Sequence, residues 1–168
     1  MKKISGLLFI LSFLVMHSGY GQVIKGTYAI KNVQTGMLLR IKDANKKDGT
    51  PLVAYEPTNW KCMTWDFMHV EGQTYQLKNL FTGKTFQQVG DHSAESAMQQ
   101  QPLVPNLDEQ EYDFIPVYKN IYLIKSKASG LYLTPKDSNG AVNSGIMLSE
   151  KSGSKMQQLT IYEQHPTM

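Results

Sequence analysis

Apolar and polar positions alternate in short runs through most of the chain, and no stretch of useful length carries an apolar stripe at helical spacing. TYAIK, residues 27–31, places Tyr28 and Ile30 on one face of an extended segment. The turn-forming residues Gln34, Thr35 and Gly36 follow, then a second apolar run at residues 37–41. A polar stretch, KDANKKDGTP, separates this from a third run, LVAY at 52–55, and a fourth, TWDFMHV at 64–70. The pattern predicts four short strands joined by turns.

The same pattern then returns twice. GTYAIKNVQTGMLLRI begins at Gly26, QTYQLKNLFTGKTFQQ at Gln73 and NIYLIKSKASGLYLTP at Asn120. Gly36, Gly83 and Gly130 lie 47 residues apart, and so do Tyr28, Tyr75 and Tyr122, and Lys31, Lys78 and Lys125. The apolar series Ile30, Leu77, Ile124 and Leu39, Phe86, Leu133 keep that register. Trp65, Tyr112 and Leu159 close the copies, each followed two residues later by Phe67, Phe114 or Ile161. Three copies of a four-stranded unit give about twelve strands. A propeller needs about four blades or more to close, and a three-unit solenoid needs polar caps that the first and last copies do not show. A β-trefoil closes with three such units, so the expected fold is an all-β trefoil of 47-residue repeats, about 26–72, 73–119 and 120–165.

The N-terminus stands outside this pattern. Lys2 and Lys3 precede an apolar run at residues 4–16, and the small residues Gly19 and Gly21 suit a signal-peptidase site. Residues 1–21 are therefore expected to be a signal peptide and 22–168 a single domain, secreted or periplasmic, with no membrane insertion in its mature form. Cleavage would lower the formal net charge from +3 to +1, which removes the electrostatic case for nucleic acid or anionic lipid. Cys62 is the sole cysteine, so no internal disulfide can form and stability must come from packing.

MTWDF at 63–67, QEYDF at 110–114 and QQLTI at 157–161, with the Gly-led strands TGMLL and SGLYL, resemble the ricin-type (R-type) β-trefoil lectins, the carbohydrate-binding modules with a Q-x-W motif. The resemblance spans about residues 26–163, with degenerate motifs: the first copy keeps the Trp, the other two the Gln. It implies that the motif aromatic fills the barrel. It also implies a shallow sugar pocket in each unit, built from an acid ending the second strand, a polar residue and an aromatic platform on the third, and an amide before the motif. A carboxylate there would accept hydrogen bonds from sugar hydroxyls while the ring packs on the sugar's C–H face.

Carried over by position, the acid becomes Arg40, Gln87 and Thr134, and the platform becomes Tyr55, then Gln101 or Pro102, then Ser149. The polar position before the platform becomes Val53, Gln100 and Met147, and the position before the motif Gln becomes Cys62, Glu109 and Met156. No unit keeps the full set. The resemblance thus points to Tyr55 stacking on a sugar, with Arg40 and the loop residues Asp43 and Asn45 supplying hydrogen bonds, and to a weaker second site at Gln87 and Gln100.

Other chemistry is sparse. Residues 43–49 and 137–140 share an Asp-x-Asn pattern that reads as Asx turns, since it misses the EF-hand spacing and Lys46 and Lys47 oppose a cation. The histidines fall at unmatched positions, and no nucleophile, zinc or phosphate-loop motif occurs. The reading is a monomeric, exported, non-catalytic carbohydrate-binding module that needs no cofactor or metal. The alternative is a protein-interaction trefoil, protease-inhibitor-like or receptor-binding, using residues 92–110, which carry Pro102 and Pro105 to stiffen an exposed loop.

Overall fold

The alternating run at the head of each copy forms β1 (Thr27–Asn32), β5 (Thr74–Asn79) and β9 (Ile121–Ser126), which start 47 residues apart. The second runs form β2 (Leu38–Ile41), β6 (Thr85–Gln88) and β10 (Tyr132–Pro135), again at 47. The third runs form β3 (Leu52–Tyr55), β7 (Met98–Gln101) and β11 (Ile146–Ser149), whose spacing is 46 and then 48. β4 (Thr64–Glu71), β8 (Tyr112–Tyr118) and β12 (Leu159–Glu163) close the units. This computed structural model describes residues 22–91 and 93–167, so the expected signal peptide lies outside the described residues.

Six strands close on themselves. β1 pairs with β4 and β12, β5 with β4 and β8, and β9 with β8 and β12, all antiparallel. The remaining strands form the hairpins β2–β3, β6–β7 and β10–β11, which cap one end. The cap hairpins touch through single bridges, Pro51 to Gln99, Val53 to Gly145 and Ala97 to Met147. This is the β-trefoil that the threefold repeat predicts, with closure leaving no barrel edge for aggregation.

The repeat positions are the core. Ile30, Leu77 and Ile124 are fully buried, as are Phe86 and Leu133, with Leu39 nearly so. Trp65, Tyr112 and Leu159 form a layer beneath the caps, where Trp65 and Tyr112 each meet Phe86. The Trp65 indole N–H donates to Leu39 O, and the Tyr112 hydroxyl to Phe86 O at 2.8 Å. Burial pushes the Tyr112 pKa upward. Near the other end, Phe67 and Phe114 meet edge to face at 5.1 Å, flanked by Tyr28, Tyr75 and Tyr122. Rings of this size bury the most area per residue, which lets a chain with no disulfide hold together. Cys62 is buried as a small hydrophobe.

Side chains also lock the units to one another. Asn32 Oδ1 accepts the backbone N–H groups of Gln34 and Thr35, while its amide donates to Met156 O of the third unit. Asn79 repeats this, accepting from Phe81 and Thr82 and donating to Cys62 O of the first unit. The third unit has Ser126, whose hydroxyl accepts from Ser129 N within its own turn. At that joint Lys127 takes over, meeting the buried Glu111 at 2.7 Å and Asp108 at 3.3 Å, so its pKa is raised chiefly by the Glu111 hydrogen bond.

Residues 92–110 are not the single long loop expected from sequence. β7 runs through the segment and pairs with β6, and a 3₁₀ turn at Asp108–Gln110 closes it. The stretch between is pinned at Val104, whose N–H donates to Gln110 Oε1 and whose carbonyl accepts from Gln76 Nε2. At the uncapped end, residues 22–25 lie across the barrel mouth, with Ile24 N–H donating to the Tyr75 hydroxyl and the Tyr28 hydroxyl to Lys25 O. A cavity of about 630 Å³ opens beside them, lined by residues including Tyr28, Tyr122 and Glu163. Tyr28, which lines it, and the buried Tyr75 are thus both engaged in seating the N-terminal segment. No described helix is long and apolar enough to cross a membrane.

Candidate functional site

In the first unit, β2 and β3 pair Leu38 with Tyr55 and Arg40 with Val53. Directly opposed residues share a face, so Arg40 and Tyr55 are diagonal neighbours, a separation a long side chain and a ring can bridge. The Arg40 guanidinium carbon lies 4.0 Å from the centroid of the Tyr55 ring. Trp60 completes the group, 5.7 Å from that guanidinium and 6.1 Å from the Tyr55 ring. Tyr55 and Trp60 are half-buried and rest on a small apolar cluster of Ala29, Leu38, Cys62 and Met63.

The loop after β2 adjoins this group through Ala44, which packs on the same cluster between the exposed Asp43 and Asn45. Asp43 and Ala44 both sit at positive φ, 53° and 50°, so the chain turns sharply there. Asn45 Oδ1 accepts from Lys47 N, the Asx turn expected, and Asp137 likewise accepts from Asn139 N and Ala141 N. Those backbone donors, Ala141 first, hold the Asp137 carboxyl below its usual range. Among the described residues no group of three His, Cys, Asp or Glu side chains is placed to hold a metal.

The second unit has a different face. β6 pairs Gln87 with Gln99 and Thr85 with Gln101, so those four side chains share a side. Gln100, expected beside Gln87, points the other way. It is fully buried, and its amide donates to Asn45 O and Lys47 O, tying the first unit's loop to β7. The reason is the 46-residue spacing of β7 from β3: one residue fewer in the connection flips every side chain to the opposite face. Gln101, not Pro102, is then the counterpart of Tyr55. Gln87 Oε1 accepts from Gln110 Nε2 at 2.7 Å, which orients its amide.

The third unit is closed on itself. Thr134 and Ser149, the counterparts of Arg40 and Tyr55, share a hydrogen bond of 2.7 Å. The motif residue Gln157 donates to Ser149 and to Glu150 O and accepts from Ser152 N. In the first unit the matching position is Met63, which can make none of these bonds. Arg40 therefore has no amide beneath it.

The residue that sequence reading missed is Trp60. It lies in register with Leu107 and Ser154, each the residue before its unit's 3₁₀ turn. Because the three copies differ there, a search for what repeats passes over it. Only the proximity of Tyr55 and Arg40 marks it.

Residues 59–148 match the protein family described as ricin-type beta-trefoil lectin domain-like. Sequence comparison with curated proteins gives no match. Among solved structures, the chain is similar to the designed threefold symmetric protein ThreeFoil, at 18% identity and TM-score 0.75, covering 82% of this chain and 99% of that one. It is also similar to the Macrolepiota procera ricin B-like lectin in complex with lactose, at 17% identity and TM-score 0.69, covering 85% and 99% of the two chains. An exo-beta-1,3-galactanase from Clostridium thermocellum matches at 16% identity and TM-score 0.76 over 82% of this chain but 30% of its own length. These likenesses show the fold.

Proposed function

This chain belongs to the ricin-type β-trefoil lectin-like family, and from that premise we propose that it is an exported, non-catalytic carbohydrate-binding module whose working site is the first unit. The observation that carries this reading is the group of Tyr55, Trp60 and Arg40 on the β2–β3 face, the one hairpin face among the described residues that presents aromatic rings beside a charged hydrogen-bond donor. Ring faces take the C–H side of a sugar, and guanidinium N–H groups donate to its oxygens. Asp43 and Asn45, on either side of Ala44, would form the rim.

Gln87, Gln99 and Gln101 in the second unit offer amides without a ring, a weaker surface. The third unit's polar groups are spent on each other.

The test is a glycan array probed with the purified protein and with Tyr55→Ala and Trp60→Ala. Both half-exposed rings lie outside the main core, so each variant should keep its β-type circular dichroism while losing at least about tenfold in affinity. Unchanged binding by both variants would place the site elsewhere.

A further inference from the structure

The first unit contains a charge that its own structure leaves uncompensated. Arg40 is only 8% exposed, and its Nε is buried with no hydrogen-bond partner. Among the described residues none of the ion pairs and none of the side-chain hydrogen bonds involves its guanidinium. It lies over the rings of Tyr55 and Trp60. A ring over a guanidinium attracts its charge but accepts no bond from N–H groups, which lie in the guanidinium plane. A buried N–H without an acceptor is costly, and the remaining guanidinium N–H groups have no protein acceptor among the described residues and stay open to solvent or to a ligand.

We propose that the first unit selects acidic saccharides, with Arg40 receiving the carboxylate of a uronic acid or the sulfate of a sulfated sugar. This rests on the reading of that unit as the carbohydrate site and names its ligand class. The planar guanidinium fork matches a carboxylate or sulfate with two parallel hydrogen bonds. Its orientation is fixed beforehand by the Tyr55 ring, so little ordering cost falls on binding. The charge has the wrong sign for the neutral-sugar recognition that a carboxylate at this position would give. A ligand anion supplies what the cluster of Ala29, Leu38, Cys62 and Met63 beneath it cannot.

The experiment is titration calorimetry of the purified protein with an oligogalacturonide, with its carboxyl-reduced neutral counterpart, and with a sulfated oligosaccharide. At low salt an acidic ligand should bind at least tenfold more tightly than the reduced one, and the ratio should shrink as salt rises. The stronger of the two acidic arms identifies the anionic group. Arg40→Met should bring the ratio close to one without lowering the thermal midpoint, because an apolar chain of similar length replaces an uncompensated charge. Arg40→Lys, which keeps the charge but not the fork, should retain only part of the preference.

Equal affinity for acidic and reduced ligands, both abolished by Tyr55→Ala, would overturn the acidic selectivity and leave the lectin reading standing. An acid preference that survives Arg40→Met would also overturn it. If no saccharide of either charge binds, both readings fall. A lowered midpoint in Arg40→Met with no acid preference in the parent would make Arg40 structural.

Discussion

The motif glutamines behave as internal struts. Gln157 is almost fully buried and joins Ser149, Glu150 and Ser152 in one network, while Gln110 joins Gln87, Pro102 and Val104 in another. Replacing Gln157 with Met, the residue at that position in the first unit, leaves Ser152 N–H without its acceptor. Urea unfolding should show a loss of about 1–3 kcal/mol, the cost of unpaired buried polar groups. A change below a few tenths would mean that water replaces the strut. Arg40 is the reverse case, a polar group whose strut is missing because Met63 stands where Gln would.

At the scale of elements, each unit hangs on the turn that follows its first strand. Asn79 is fully buried and makes bonds both within its turn and to Cys62 O of the preceding unit. Asn79→Ala should cost about 2 kcal/mol in chemical unfolding, several donors and acceptors being orphaned at once. Ser126→Ala, at the corresponding place in the third unit, should cost well under half of that, since its bond stays inside the turn and Lys127 carries the joint. Equal costs would show that the joints do not differ. The same turns explain the repeated glycine: Gly83 has φ of 69° with open space where a Cβ would go, so Gly83→Ala should lose about 1 kcal/mol through backbone strain alone.

For the molecule as a whole, closure and function divide the chain differently. The barrel is threefold, with β12 returning to β1 over five residue pairs. The candidate site is onefold, because rings beside a cation occur on the first hairpin face and not on the others described. Binding should therefore show one ligand per chain and no avidity gain on repeating glycans at low protein density. A stoichiometry of three in calorimetry would restore the second and third units as sites.

Fold and site differ in how far they could be read before the structure. The repeat of Tyr28, Ile30, Gly36, Leu39 and Trp65 at 47 residues determined strand order, unit count and closure, because core positions must recur wherever the same unit recurs. Tyr55 and Arg40 were legible too, as positions where a familiar site would lie. Tertiary structure decided the rest. It turned Gln100 inward, since a single missing residue before β7 reverses the side-chain alternation. It split residues 92–110 with a strand whose partner, β6, stands on the far side of a turn. It also brought Trp60 and Tyr55 onto a buried guanidinium without a counter-ion, a juxtaposition that rests on cross-strand register and burial rather than on any spacing along the chain.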